Sequence, residues 1–117
     1  MEDAYRLFVK AKELIGKKDF LNASLLLEEA REYEPEKGSI REALGICYYN
    51  MGFYSSSRDH FDKAIEIDAA NDFAHYGMGL CLIKENKINR ALGYLKIASF
   101  MRPESEVYKK VLKRYNR

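Results

Sequence analysis

The composition of this 117-residue chain is that of one ordered domain without a strong charge preference. Apolar residues make up 47% of it and charged residues 32%, with only two prolines, which excludes an intrinsically disordered chain. A net charge of +2 excludes a global electrostatic field that would select nucleic acid or an anionic membrane.

The start of the chain carries no sign of a targeting segment. Residues 1–6 include acids and lack the basic start and apolar core of a signal peptide, and no uncharged apolar stretch reaches membrane-spanning length. We therefore expect a cytoplasmic protein with neither a membrane nor a nucleic acid as its partner.

Helical periodicity predicts six helices in three pairs, followed by a seventh helix. Short polar or glycine-containing turns separate the two members of each pair, and Pro35 and Pro103 each close a unit, where proline ends a helix. The predicted ranges are 3–16, 20–33, 37–51, 54–67, 71–85, 88–101 and 105–116.

The sequence matches itself when residue i is compared with residue i+34, which defines three repeat units at 4–37, 38–71 and 72–105. In the first half of each unit, a small residue is followed three places later by a large one. In the second half of each unit, a small residue is followed four places later by a large one, and an alanine follows three places after that. These spacings put the three residues on one face of a helix, with small residues where two helices cross. The recurring sets are Ala11, Gly45, Gly79; Leu14, Tyr48, Leu82; Ala23, Ser57, Ala91; Leu27, Phe61, Leu95; and Ala30, Ala64, Ala98.

These residues resemble the tetratricopeptide repeat (TPR), whose small, large and proline positions recur with this period. The resemblance covers residues 4–105 and departs from the family at Arg41, where tryptophan is usual, and at Ala69, where proline is usual. It implies an all-α fold, a right-handed α-solenoid of three antiparallel helix hairpins forming a TPR superhelix. We take residues 1–117 as a single domain, with residues 106–117 as a capping helix.

The predicted seventh helix has one apolar and one basic face. A solenoid leaves the flank of its last repeat exposed, so a terminal helix with a polar outer face is expected to cover it. The basic face is interpreted as solvated, since its four cations and Arg117 would give at most a salt-sensitive, sequence-independent affinity for nucleic acid. The apolar set is Val107, Tyr108, Val111, Leu112 and Tyr115, and the basic set is Lys109, Lys110, Lys113 and Arg114.

Nothing in the sequence indicates catalysis. Both histidines, His60 and His75, are expected on the surface, and no serine or cysteine has an orienting partner at a suitable spacing. Cys47 and Cys81 lack a second metal ligand and lie one repeat apart, too far for a disulfide, so we expect two free thiols. We therefore predict no enzyme, no catalytic residue, no metal site and no cofactor.

The TPR resemblance implies a concave groove lined by the first helices of successive hairpins. Exposed, its apolar and aromatic residues would form a patch that monomers seldom leave free, which is typical of an interaction surface. Part of this stripe could instead be covered within the protein or by a neighbouring copy. The implied lining residues are Tyr5, Phe8, Lys12 and Ile15 in the first unit, Glu42, Ile46, Tyr49 and Asn50 in the second, and Phe73, Tyr76, Leu80, Ile83 and Lys84 in the third.

The resemblance implies a scaffold for protein–protein interaction that holds a peptide or helix of another protein in this groove. Many chaperone-binding TPR domains grip a C-terminal carboxylate with polar side chains, and four of the five matching positions here lack one. We therefore expect an apolar or aromatic-bearing segment as the ligand. The five positions hold Phe8, Lys12, Ala43, Phe73 and Gly77.

Two other functions remain open. One is a secretion-type chaperone for a partner protein, although such chaperones usually carry an N-terminal helical extension and the first repeat here starts at Ala4. The other is a structural subunit that forms a homo-oligomer end to end, through the acidic start and the basic end of the chain.

Overall fold

The computed structural model describes residues 3–116, and this part of the chain folds into seven α-helices without a strand. Each predicted helix is confirmed to within one residue at either end. The helices are α1 (Ala4–Gly16), α2 (Phe20–Tyr33), α3 (Gly38–Asn50), α4 (Tyr54–Ile67), α5 (Asp72–Lys84), α6 (Ile88–Met101) and α7 (Glu106–Tyr115).

The helix starts follow the repeat. The residues before α1, α5 and α7 accept a hydrogen bond from the backbone N–H three places on, at 2.9 Å to Asp3, 3.0 Å to Asn71 and 3.2 Å to Ser105. Such side-chain caps satisfy N–H groups that have no partner inside the helix. Because Ser105 lies one repeat length after Asn71, α7 begins where the first helix of a fourth repeat would begin.

The turn within each hairpin also repeats. Lys18, Gly52 and Asn86 occupy the same position of the three units and all have a positive φ, at 62°, 86° and 61°. Only glycine adopts this left-handed backbone without steric cost. The same turn is therefore kept in all three hairpins even where the sequence does not favour it.

The hairpins stack into an elongated solenoid of 51 × 25 × 22 Å. Within each hairpin the two helices pack together, and each second helix packs on the first helix of the next hairpin. Contacts also join α1 to α3 and α3 to α5, whereas the second helices make little contact with each other. The first helices therefore lie on the inside of the curve, and the second helices lie on the outside.

The small residues of the repeat are buried where helices cross, as predicted. A Cβ atom added at Gly79 would lie 2.6 Å from Leu95, and one added at Gly77 would lie 2.6 Å from Phe61, so close packing explains both glycines. Ser57 is also buried and donates a 2.6 Å hydrogen bond to the carbonyl of Gly45. Its hydroxyl satisfies the requirement that a buried polar group has a partner.

Both cysteines are buried and unpaired, which confirms the predicted free thiols. Burial raises the pKa of the Cys47 thiol to about 11 and raises that of Cys81 as well. The Cys81 thiol also donates a 3.2 Å hydrogen bond to the hydroxyl of Ser57. Both residues therefore act as small core side chains with little thiolate at neutral pH.

The predicted surface position of the histidines is wrong. His75 is buried, with Nε2 3.0 Å from the carbonyl oxygen of Ala69. The His60 side chain is only 12% exposed and stacks on Tyr48, with ring centroids 5.3 Å apart. Both rings fill space beside a neighbouring helix, and the polar residues around them in sequence gave no sign of this.

No helix between residues 3 and 116 combines the length and the apolar character needed to cross a lipid bilayer.

Candidate binding groove

The predicted groove residues lie on α1, α3 and α5, the three helices on the inside of the curve. Phe8, Glu42 and Tyr76 are equivalent residues of the three repeats and lie along the floor of the groove. The floor is therefore aromatic in the first repeat, acidic in the second and aromatic in the third. Four of the predicted residues are exposed, and the others are half-buried. The exposed set is Tyr5, Lys12, Asn50 and Lys84, and the half-buried set is Phe8, Ile15, Glu42, Ile46, Tyr49, Phe73, Tyr76, Leu80 and Ile83.

A pocket of about 230 Å³ opens between α3 and α5. Three of its walls are aromatic rings, and Asn50 is its polar rim residue, with an amide that donates a 2.8 Å hydrogen bond to the carbonyl of Ile46. Burial raises the pKa of the Tyr49 hydroxyl, which therefore stays protonated at neutral pH. The lining residues are Ile46, Tyr49, Asn50, Phe61, Phe73, Gly77 and Leu80.

Phe61 forms part of this pocket although its sequence position marks it as a core residue. Its ring lies between Gly45 and Gly77, where an added Cβ atom would come within 2.7 Å and 2.6 Å of it. It also makes an edge-to-face contact with Phe73, with ring centroids 6.0 Å apart. The sequence contains a signal for this arrangement. The middle repeat has Phe61 where the other two repeats have leucine, and Gly45 and Gly77 leave room for its larger ring.

A second pocket, of about 210 Å³, lies between the start of α1 and the start of α3. Tyr5 and Phe8 supply its aromatic wall, and the Lys12 ammonium lies 5.8 Å from the centre of the Phe8 ring, in cation–π contact. Sequence reasoning missed the rim residues contributed by the turn before α3. The pocket is lined by Ala4, Tyr5, Phe8, Glu34, Lys37, Ser39 and Ile40.

Glu42 places a half-buried carboxylate on the groove floor between the two pockets. Burial raises the pKa of this carboxyl, and the nearby charge of Asp72 raises it further, whereas a hydrogen bond from Asn71 and the charge of Lys12 lower it. A partly desolvated carboxylate repels a further negative charge. Glu42 is therefore a negative charge between the two pockets, with the Lys12 ammonium near it.

Helix α7 contacts the third repeat beside Tyr76. The Tyr108 ring stacks on Tyr76, with centroids 4.7 Å apart, and its hydroxyl donates a 2.7 Å hydrogen bond to Asp72. Arg102 donates two further bonds to Asp72, at 2.9 Å and 3.2 Å, and these hold the pKa of Asp72 below its usual value. One side of Tyr76 is thus covered within the protein.

The predicted apolar face of α7 is correct for Tyr108 and wrong for Val107. Tyr108 is buried, whereas Val107 is exposed. The reason is register, since Val107 occupies the same repeat position as Tyr5 and Phe73, which face the groove.

Residues 3–116 contain no cluster of three or more histidine, cysteine, aspartate or glutamate side chains arranged to hold a metal ion.

Solved structures share this fold over nearly the whole chain. The first TPR domain of Spaghetti (RPAP3), bound to an HSP90 peptide, superposes with a TM-score of 0.93 at 12% identity, covering 97% of this chain and 90% of its own. The Arabidopsis OM64 TPR domain gives 0.93 at 16% identity, covering 96% and 93%. The Yersinia enterocolitica type III secretion chaperone SycD, in complex with a peptide of the translocator YopD, gives 0.84 at 15% identity, covering 96% and 86%.

The chain therefore has the tetratricopeptide-repeat fold, an α-solenoid of helical hairpins. No protein-family model matches its sequence, and no curated protein matches it either.

Proposed function

We propose that this protein is an interaction module whose concave groove binds an apolar or aromatic-bearing segment of a partner protein. The observation that carries the proposal is the apolar pocket between α3 and α5, with its aromatic walls and single polar rim residue. A volume of about 230 Å³ is below the ~300–1,000 Å³ typical of small-molecule sites. It suits one large side chain of a protein ligand, the usual anchor of helix-in-groove recognition.

The second pocket adds a second anchor point. Along α3, Ile40 of one pocket and Ile46 of the other are six residues apart, which is about 9 Å at 1.5 Å per residue. A ligand helix separates residues i and i+7 by about 10 Å. The pockets also lie on opposite sides of α3, so an amphipathic helix with large apolar residues at least two turns apart is the ligand that could fill both.

The groove disfavours the acidic C-terminal peptides that many TPR domains bind. In those domains, polar side chains at five positions hold the C-terminal carboxylate of the peptide. Four of the matching positions here are Phe8, Ala43, Phe73 and Gly77, whose side chains offer no hydrogen-bond donor. A carboxylate buried there would lose its hydration without compensation, at a cost of several kcal/mol. Glu42 would add repulsion to that cost.

Calorimetry with designed peptides tests the proposal. A helical peptide with leucine or phenylalanine at i and i+7 should bind, and the same peptide with serine at both positions should not. Leu80→Ala should weaken binding about ten-fold, since it removes apolar contact area worth roughly 1–2 kcal/mol. Asp59→Ser on the outside of α4 is the matched control and should leave binding unchanged.

Two outcomes would contradict the proposed apolar ligand. Micromolar binding of an acidic C-terminal peptide that required its free carboxylate would contradict the proposal, as would peptide binding unaffected by Leu80→Ala.

A secretion-type chaperone is the second function that we propose for testing. SycD has the same fold and holds a peptide of the translocator YopD, so an apolar cargo segment would use the same groove. In that case, co-expression with the cargo should keep the cargo soluble, and Leu80→Ala should abolish this protection.

A further inference from the structure

The outer faces of α2, α4 and α6 occupy equivalent positions in the three repeats and can be compared directly. On α4 this face is polar. Its residues Ser55, Asp59, Lys63 and Glu66 are equivalent to Leu21, Leu25, Glu29 and Glu32 on α2 and to Asn89, Gly93, Ile97 and Phe100 on α6. The middle repeat thus shows that the scaffold requires no apolar side chain at these four positions. Apolar residues there in the other two repeats therefore call for a separate explanation.

The outer face of α6 is apolar in its second half and has two cations, Arg90 in the first half and Lys96 beside Ile97. Ile97, Phe100 and Met101 are all exposed, and Phe100 is 87% exposed where the middle repeat has Glu66. The basic residues are Arg90 and Lys96, and no acidic residue occurs between Glu85 and Glu104. An exposed apolar patch with cations beside it is typical of an interaction surface.

The outer face of α2 has the inverse arrangement. Its first half presents Leu21 and Leu25, each 60% exposed, and its second half presents Glu29 and Glu32. These four residues follow each other at helical spacings of four, four and three, so they lie in one stripe. Tyr33 extends the stripe at its end.

The charges of both faces have no partner within residues 3–116. None of Glu29, Glu32, Arg90 and Lys96 takes part in an ion pair or side-chain hydrogen bond in this part of the chain. Each is therefore available to a partner molecule. Two repeats separate the faces along the solenoid, so they cannot meet within one molecule.

We propose that the outer face of α2 in one copy docks antiparallel on the outer face of α6 in a second copy. With Leu25 opposite Ile97, an antiparallel register places Leu21 opposite Met101 and Glu32 opposite Arg90. The apolar halves then cover each other, Glu32 meets Arg90, and the acidic half of α2 faces a part of α6 that has no acidic residue. A parallel arrangement would press Glu29 and Glu32 against Ile97 and Phe100, which would desolvate carboxylates without compensation.

The contact is heterologous, because each copy uses α2 on one side and α6 on the other. Each bound copy keeps one free face of each kind, so association continues with concentration instead of stopping at a dimer. It leaves the concave groove open and is independent of the groove function. It also differs from pairing through the chain ends, because it uses neither α1 nor α7.

Sedimentation velocity over a range of protein concentrations tests the proposal. The wild-type mass average should rise with concentration, and Leu25→Ser and Phe100→Ser should each weaken the association at least ten-fold. Both substituted residues are exposed, so circular dichroism should show unchanged helicity. The matched controls are Asp59→Ser and Glu66→Ser, which change the equivalent positions of α4 and should associate as the wild type does.

Mixing the two serine variants distinguishes this specific contact from non-specific aggregation. Leu25→Ser keeps an intact α6 face and Phe100→Ser an intact α2 face, so the mixture should form a one-to-one dimer that does not grow. The charge reversals E29K/E32K and R90E/K96E should each abolish association, and a chain carrying both should regain it. The wild-type association should weaken between about 0.05 and 0.5 M salt as screening increases.

Four results would overturn the proposal: a wild-type protein that stays monomeric at all concentrations, variants that associate undiminished, a mixture of the two serine variants that stays monomeric, or combined charge reversals that fail to restore association. Binding of the α6 face to anionic vesicles or to an unrelated acidic protein, without self-association, would assign that face to a different partner.

Discussion

The junction between repeats one and two and the junction between repeats two and three are packed with different side chains at equivalent positions. At the first junction, Leu27 of α2 is buried in a cluster with Ala11 and Ala43. At the second junction, Phe61 of α4 fills the equivalent position, and the equivalents of the two alanines are Gly45 and Gly77. A larger ring is thus matched by two smaller neighbours.

This exchange has a consequence for the groove. The absence of Cβ atoms at the two glycines lets the Phe61 ring reach between α3 and α5, where it becomes part of the pocket wall. Volume-conserving changes of this kind are tolerated because the core stays filled. The same backbone register therefore forms a closely packed junction in one place and one side of an open pocket in another.

The largest expected effect comes from deleting the ring. Phe61→Ala should lower the free energy of unfolding by about 3–5 kcal/mol, because it removes a buried side chain and leaves a cavity between two glycines. Chemical denaturation measures this loss. Phe100→Ala is the control for an exposed phenylalanine and should change stability by less than about 0.5 kcal/mol.

One added methyl group should disturb the fit between the Phe61 ring and the two glycines. Gly77→Ala should cost about 1–3 kcal/mol, because its Cβ would lie 2.6 Å from the Phe61 ring. The same substitution should cost much less in a Phe61→Leu background. The triple variant with Gly45→Ala, Phe61→Leu and Gly77→Ala reproduces the first junction and should approach wild-type stability. Additive losses across this double-mutant cycle would show that the ring and the glycines do not compensate each other.

Hydrogen bonding distinguishes the junctions less strongly. Ser57 donates to the Gly45 carbonyl and accepts from Cys81, whereas the equivalent residue at the first junction is Ala23. Ser57→Ala should lower stability by about 1 kcal/mol, since a buried thiol then loses its acceptor. Thermal unfolding measures the change, with the exposed Ser55→Ala as the control. An unchanged midpoint would show that the hydroxyl only fills space.

The smallest effect is a pH dependence at the first junction. His60 Nδ1 accepts a 3.3 Å hydrogen bond from Arg41, which requires a neutral ring, and burial lowers the pKa of His60 while Glu28 opposes this shift. The unfolded chain therefore takes up the proton first, and stability is lost as pH falls through the ordinary value of 6.5. His60→Gln should flatten the stability profile between pH 7 and about 5. A profile unaltered by that change would contradict the assignment.

Helix positions and core could be predicted because their signals are local and repeated three times. The small residues, the large residues that follow them and the turns recur once in every unit, and each supports the same boundaries. The groove residues followed from the repeat register and lie on the three inner helices. Expectations failed at three residues where the surroundings decided the outcome: His60 stacks on Tyr48, His75 is buried beside the turn before α5, and Val107 is exposed.

The sequence by itself determined the period, the helices and the pairing of small with large residues, because each depends on spacing along a single helix or hairpin. The tertiary structure alone decided how far a side chain reaches between helices. Phe61 has the sequence position of a core residue, and only the distance between α3 and α5 brings its ring into the groove. The unpaired charges on the outside of α2 and α6 were likewise identified only by the structure, since ion pairing depends on side chains that are far apart in sequence.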